Sequence, residues 1–415
     1  MNFIRFFKES LKIVTRGNKW YYLWLTFLLA LMIWGGLGYL GQLKEGLVVT
    51  NMRDSVSWAF YIGNFTFLVG VAAAAIMLVI PAYVYNWKPI KEVVIFGELL
   101  AISALIMSML FVFVDIGGPL RLWHMLPFVG KLNLPSSLLA WDFVVLNLYF
   151  ILNIVIVLYL LYKHFIKKDY NKSILTPLVL FSIPMAICIH TVTAFLYNGL
   201  AARPYWNTAL LAPKFLASAF CSGPAVLLIL FQILKKTTTF EIKDEAIWKI
   251  AELMAYAMFI NLFFFFSEIF KEVYSNTEHI VHLKYLFKGV GENRDIVAYG
   301  WLSFIISFIA FLLFLIPATR KNIITLNIGA VLIYFGVYIE KGIALIIPGF
   351  TPDTLGQIYV YRPSLTEIRT SVAIFSFGFL VFTLLTRVAV AIVFEGFNID
   401  RLKKVKGTMS RVDKS

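Results

Sequence analysis

Ten ionisable side chains stand inside stretches of this sequence that are otherwise oily: Glu98, Asp115, Asp142, His190, Lys214, Glu252, Glu268, Glu340, Lys341 and Arg387. Carboxylates, an imidazole and ammonium groups can take up and release protons, the work of general acids and bases. Each costs roughly 2.5 to 3.5 kcal/mol at the centre of a membrane helix, so such groups face a bundle interior or a wet cavity and mark functional sites. Their depths are lopsided. Asp115, Asp142, His190, Lys214, Glu268, Glu340 and Lys341 fall toward one end of their segments, whereas Glu98, Glu252 and Arg387 fall toward the other. His190 and Tyr197 are seven residues apart, which puts them on one helix face about 10 Å apart along the axis. Asn261 and Glu268 repeat that spacing. A protonatable group with a hydrogen-bonding partner nearer the surface suits a proton-coupled ligand site. Loops on the crowded side add Arg121, Trp123 and His124 in "DIGGPLRLWH" (115 to 124) and Arg203 and Trp206 in "ARPYW" (202 to 206). The competing account is interfacial anchoring, by charges that snorkel and aromatic rings that lie at headgroup level. Taken singly, Lys131, Lys214, Trp123 and Trp206 read equally well that way. Acids snorkel poorly, so a functional reading is favoured for the buried carboxylates and His190.

Electron chemistry finds no ligands. The two cysteines, Cys188 and Cys221, both fall within oily segments and are too few for an iron–sulfur cluster or a zinc site. A membrane haem takes two histidines in mid-helix. Of His124, His164, His190, His279 and His282, only His190 lies well inside a segment. The chain is therefore expected to bind no haem, iron–sulfur cluster or metal of its own. His279 and His282, three residues apart, are read as a solvated or partner-facing pair in preference to a metal clip.

The segments that must position these groups are membrane spans. The 415 residues are 60% hydrophobic and 14% charged, against roughly 25% charged in a soluble domain. Windows of about 20 apolar residues, the length that crosses a bilayer core, recur at 21 to 40, 57 to 83, 93 to 115, 138 to 162, 174 to 197, 209 to 234, 247 to 270, 296 to 317, 324 to 347 and 370 to 394. The predicted fold is thus an all-α integral membrane protein of ten transmembrane helices. Residues 1 to 19, with Arg5, Lys8, Lys12, Arg16 and Lys19 among apolar positions, read as an amphipathic helix on the membrane surface. The membrane domain covers 20 to 397, and 398 to 415 form a basic tail. Lys and Arg number 22 in the loops and ends on the N-terminal side against 11 on the other. Both termini of this multi-pass cell-membrane protein are therefore predicted to be cytoplasmic. The net charge of +14 reads as topology and contact with anionic lipid, with no nucleic-acid partner.

Three stretches carry a resemblance: 115 to 147, "HTVTAFLYNGLAARPYWNTALLAPKFLASAFCSGPA" (190 to 225) and "GVYIEKGIALIIPGFTPDTLGQIYVYRPSLTEI" (336 to 368). They resemble the NrfD/PsrC (polysulfide reductase membrane subunit) family of quinone-interacting proteins, and within it the ten-helix branch of DsrP and the Hmc/Hme membrane subunits, over almost the whole chain. The resemblance implies two four-helix bundles, spans 2 to 5 and 6 to 9, flanked by the first and tenth spans. It also implies a menaquinone pocket near the outer face and an extracytoplasmic ferredoxin-like partner carrying 4Fe–4S clusters. A DsrMKJOP-like complex of sulfur metabolism would add cytochrome c, cytochrome b and iron–sulfur subunits. Eight-helix members differ around their pocket, so their contacts are not carried over by position.

Residues and resemblance meet on one expectation. The chain is inactive alone but serves a menaquinol-linked oxidoreductase complex, its quinone headgroup lying among the outer ends of spans 2 to 5. His190 and Asp115 would exchange protons with the quinone oxygens. Arg121 and Arg203 would hold acidic groups or the partner, Trp123 and Trp206 would wall the pocket, and His124, Asp142 and Tyr197 would complete the binding set. Glu268 and Glu340, with Glu98, Glu252, Asn261 and Arg387 toward the cytoplasm, would form a proton route; structural pairing between helices reads equally well for the last four. A proton-coupled secondary transporter stays open as the alternative; a purely structural anchor is disfavoured, because anchoring needs no buried acids.

Overall fold

The computed structural model describes residues 2–73, 75–126, 129–238, 242–276 and 280–394. His279, the basic tail and the last residues assigned to the membrane domain lie outside the described residues. An amphipathic helix, α1 (Asn2–Thr15), is followed by α2 (Lys19–Glu45), the first span. The second span is broken into α3 (Phe60–Ala72), α4 (Ala75–Val79) and a π-helical turn, Ile80–Val84. After the short α5 (Lys88–Lys91) come α6 (Val94–Asp115), α7 (Leu138–Phe165), α8 (Lys172–Asn198), α9 (Leu211–Thr237) and α10 (Asp244–Ser275), each a span. The loop helix α11 (Ile280–Phe287) leads to the eighth span, α12 (Val297–Leu315), and α13 (Pro317–Lys321) is the turn after it. The ninth span is interrupted at Gly342 into α14 (Ile323–Lys341) and α15 (Ile343–Phe350). The tenth is α16 (Leu365–Ala389) with a π-helical turn at Val390–Phe394. Ten helical units are long and apolar enough to cross a bilayer, at the positions the hydropathy indicated, and no strand forms among the described residues.

Helix starts follow local chemistry. Side chains of Asn18, Ser137, Asn171 and Asn322 cap α2, α7, α8 and α14 by accepting first-turn N–H groups, which would otherwise lack partners. Ser364 and Glu367 form a reciprocal capping box at α16. Lateral packing links α3 to α6, α6 to α7 and α7 to α8, with α3 returning to α8. It likewise links α9 to α10, α10 to α12, α12 to α14 and α14 to α9. These two groups meet where α3 and α8 pack on α9 and α3 touches α14 and α15. The first and last spans, α2 and α16, pack on each other along the flank formed by α6. Accordingly only 17% of the most apolar window of α2 is covered by protein.

Helix α1 buries Phe6 and Ile13 and leaves Phe3, Ile4, Phe7 and Leu11 exposed beside its basic residues. Arg387 at the end of α16 donates to the Ile13 carbonyl (3.1 Å) and to the Arg16 carbonyl, with its guanidinium 4.1 Å from the Tyr21 ring centroid. Of the two readings open for it, a proton route and pairing between helices, this geometry fits pairing, because the charge fastens α1 to the last span. We call the face remote from α1 distal; it is the face predicted to be extracytoplasmic.

Candidate functional site

Helix α7 turns a polar stripe inward: Asp142, Tyr149 and Asn153 are all at most 5% exposed. Their spacing of seven and four residues keeps them on one helix face. Asp142 accepts a 2.7 Å hydrogen bond from Thr193 of α8. Three residues earlier on α8 stands His190, 1% exposed, and four residues later Tyr197, whose hydroxyl bonds Thr66 of α3. The structure thus brings three predicted residues, Asp142, His190 and Tyr197, into one buried neighbourhood. The His190 Nδ1–H donates to the Ala186 carbonyl at 3.2 Å, which leaves Nε2 as the bare acceptor.

Above it, "ARPYW" proves to be a lock. Pro348 lies inside α15 and has no N–H, so the Ala344 carbonyl four residues back loses its helical donor. The Tyr205 hydroxyl supplies one (3.2 Å), the Trp206 indole N–H donates to Leu345 (2.9 Å), and Arg203 donates to Phe350 (3.2 Å). Burial, then the nearby Glu268, pushes the Tyr205 phenol above the usual tyrosine range, so it remains a donor at any working pH. Trp206 is fully buried, edge-on to Tyr197 and Phe350 with centroids 5.1 Å away in each case, and stacked on Trp58. A Cβ at Gly349 would run into its indole, so this contact requires glycine. Neither the anchoring account of Trp206 nor a carboxylate partner for Arg203 describes these residues; Arg203 is held by a carbonyl and lies 4.6 Å from the Phe350 ring centroid.

The second polar cluster sits in the other helix group. Lys214 of α9 bridges Glu268 of α10 (3.4 Å) and Glu340 of α14 (3.3 Å), and Asn261 donates to Glu340 at 3.0 Å. These acids and Asn261 are the predicted members of a proton route. The lysine that joins them is no snorkelling anchor. Next to Glu340, Lys341 is 3% exposed and donates to the Phe215 carbonyl at 3.0 Å. A lysine followed by eight helical residues of α15 cannot reach the surface along its own helix, and that signal was readable in the sequence.

A third cluster surrounds Asp115 at the distal end of α6. Its Oδ1 is buried without a hydrogen-bond partner among the described residues. Close enough to interact electrostatically with Asp115 are Glu367, Tyr61 and Tyr197. Tyr61 donates to Gln42 (2.8 Å), and Glu367 accepts from the backbone N–H groups of Asn51 (3.0 Å) and Ser364 (2.8 Å) and from Tyr361. Tyr197 thus lies within electrostatic range of both Asp115 and Asp142.

Other predicted residues lie apart. Arg121, Trp123 and His124 are exposed in a 3-10 segment, Pro119–Met125, with Trp123 52% exposed, so Trp123 walls no interior pocket in this chain. Glu98 is fully buried in the first helix group with neither oxygen bonded, near Tyr83 and Tyr149. Glu252 lies by the proximal face, bonded by Tyr256 (2.8 Å) and Lys249 (3.3 Å) and paired with Arg320 (3.8 Å). The expected single route is thus divided between two helix groups and a surface ion cluster. Among the described residues no group of three His, Cys, Asp or Glu could hold a metal ion.

Two openings bear on ligand access. A distal concavity of about 1000 Å³ is lined by Leu47, Met52, Arg53, Ala202, Arg203 and Tyr359, among others. A slot between α3 and α14–α15, with Asn64 and Tyr338 in its wall, has room of only about 20 Å³. That is no more than a water molecule needs. The concavity is large enough for a ring system, and Arg203 in its lining donates to Phe350, which packs on the Trp206 and Tyr197 stack.

Known proteins similar to this chain agree with one another. Residues 48–352 match the family described as "Polysulphide reductase, NrfD". A putative dimethyl sulfoxide reductase membrane subunit of Halobacterium salinarum is 25% identical, the match spanning 86% of this chain and 88% of the relative. The Hdr-like menaquinol oxidoreductase integral membrane subunit of Archaeoglobus fulgidus is 23% identical, with 87% and 91% covered. The integral membrane subunit of the menaquinone reductase of Nitratidesulfovibrio vulgaris is 22% identical, with 87% and 90% covered.

Proposed function

The chain belongs to the NrfD family, and we propose that it is the quinone-reacting membrane subunit of a multi-subunit redox complex. In this reading it passes electrons between menaquinol or menaquinone and an extracytoplasmic iron–sulfur subunit. The observation that carries the reading is the buried group of Asp142, Thr193, His190 and Tyr197 in the distal halves of α7 and α8, to which a concavity large enough for a ring is joined through Arg203, Phe350 and Trp206. The relatives' names, which include a menaquinol oxidoreductase subunit and a menaquinone reductase subunit, support it.

The donor set suits a quinone. Its two oxygens exchange protons as its ring exchanges electrons, and the chain offers proton-handling groups with unsatisfied atoms. His190 Nε2 is bare and buried, and Asp115 Oδ1 is likewise without a partner. His190 can accept a proton at Nε2 while its Nδ1–H stays fixed on Ala186. Asp142, held by Thr193, is the next carboxylate along the buried face, and the Tyr197 hydroxyl is bonded to Thr66. Trp206, Trp58 and Phe350 exclude water above them. Electrons leave to a partner docked over the Arg53 and Arg203 concavity, whose lining carries both signs through Asp54 and Asp353. His190→Ala should abolish quinol-linked electron transfer while the complex still assembles; wild-type turnover in that variant refutes the assignment.

At finer grain we place the chain in a DsrMKJOP-like complex of sulfur metabolism, with the Lys214, Glu268, Glu340 and Asn261 network serving proton translocation. If reconstituted complex turns over with no pH change on the proximal side, the translocation part fails and the quinone part stands.

A further inference from the structure

Where the two helix groups meet, several buried polar heads have bonding capacity left over. Lys341 has three N–H donors; one reaches the Phe215 carbonyl, and the ammonium lies 4.9 Å from the Phe215 ring centroid. The Ser222 hydroxyl of α9 is fully buried and has no partner among the described residues. His190 Nε2, the bare acceptor of that ring, has none either. A donor, an acceptor and a group that is both are left open in one region, and buried polar groups left so are costly.

Two of these heads, Lys341 and Ser222, converge on bare backbone. At Gly70 of α3, the place a Cβ would occupy lies 2.8 Å from Lys341 Nζ and 3.7 Å from Ser222 Oγ. The two heads are therefore within reach of one or two bridging waters but are not bonded to each other. The titratable and charged groups that face Lys341 are Glu340 on its own helix, Cys221 and Lys214 on α9, and His190 on α8. Glu340 is engaged by Lys214 and Asn261, so Lys341 is left to the other side, toward Gly70.

We propose that Gly70 is the floor of an internal hydration site in which ordered water accepts from Lys341, bonds Ser222 and donates to His190 Nε2. Water suits the set because it donates and accepts at once, and because buried waters typically make about three such bonds. This inference rests on the reading of His190 as the proton-exchanging group. It makes Lys341 and Ser222 positioning residues that keep Nε2 aimed as a base. Nε2 has one lone pair, so the proton reaches it through this water, which passes its own hydrogen to Nε2, takes the quinol's in exchange and turns its oxygen toward the new N–H.

A high-resolution map of the assembled complex, combined with turnover of three variants, tests this. Water peaks are expected within hydrogen-bonding distance of Lys341 Nζ and His190 Nε2. Gly70→Ala places a methyl group against the ammonium and should lower kcat by about tenfold with the quinol KM nearly unchanged. Ser222→Ala should lower kcat in the same manner, and Ser222→Thr, which keeps the hydroxyl, should restore most of it. A dry contact between Lys341 and Glu340, a peak that bromide replaces as an anion would, or wild-type kcat in both Gly70→Ala and Ser222→Ala overturns the proposal. Water peaks in a complex inert toward quinol would keep the site and retire the reading of His190 instead.

Discussion

Lys214→Met is expected to destabilise the protein by about 3 kcal/mol, because it leaves two part-buried carboxylates without the ion-pair partner they share. The side chains of Lys214, Glu268 and Glu340 are at most 20% exposed, so little solvent is available to screen the survivors. One lysine serves both acids, and Asn261 reaches only Glu340. The relief is correspondingly specific: adding Glu268→Gln to Lys214→Met removes one of the two stranded charges and should recover about half of the loss. Thermal unfolding of the purified protein measures both steps. A Lys214→Met protein as stable as the parent would show that the three side chains do not act as one unit.

Trp206→Ala carries the second large effect, about 3 to 5 kcal/mol for emptying the space of a fully buried indole. The Leu345 carbonyl also loses its indole donor, and Tyr197, Phe350 and Trp58 lose the ring they share. The control is Trp123→Ala in the neighbouring distal loop. With Trp123 half exposed and free of interior packing, its replacement should stay within about 0.5 kcal/mol of the parent. Equal melting temperatures for the two variants would contradict the buried stack.

Trp123 and Trp206 also show how far the sequence could be read. Both are tryptophans in distal loops beside arginines, so composition treats them alike, and interfacial anchoring describes either. What separates them is remote: Gly349, some 140 residues further on, leaves the groove that Trp206 fills, and Pro348 frees the carbonyl that Tyr205 then caps. The ten spans were legible because hydropathy is a local property and helices satisfy their own backbone. Asp142, His190 and Tyr197 were legible as one neighbourhood because their depths and helical spacing are set by their own segments. The linking role of Lys214 was not, since it depends on which helices become neighbours. The partners of Arg387 were hidden for the same reason, being the carbonyls of Ile13 and Arg16 at the opposite end of the chain. The breaks at Ala73 and Gly342 were also beyond reach, because continuous apolar runs give no sign of where a helix will part.

The pairing of α2 with α16 along α6 closes one side of the molecule to lateral traffic. A prenyl chain trailing from a ring held near His190 cannot leave through that closed side. Away from it, on α7 and α8, Leu148, Ile151 and Ile187 present aliphatic surface outward. On the quinone reading proposed above, two helices that bear none of the reacting groups would narrow the directions from which a lipid-soluble substrate can arrive.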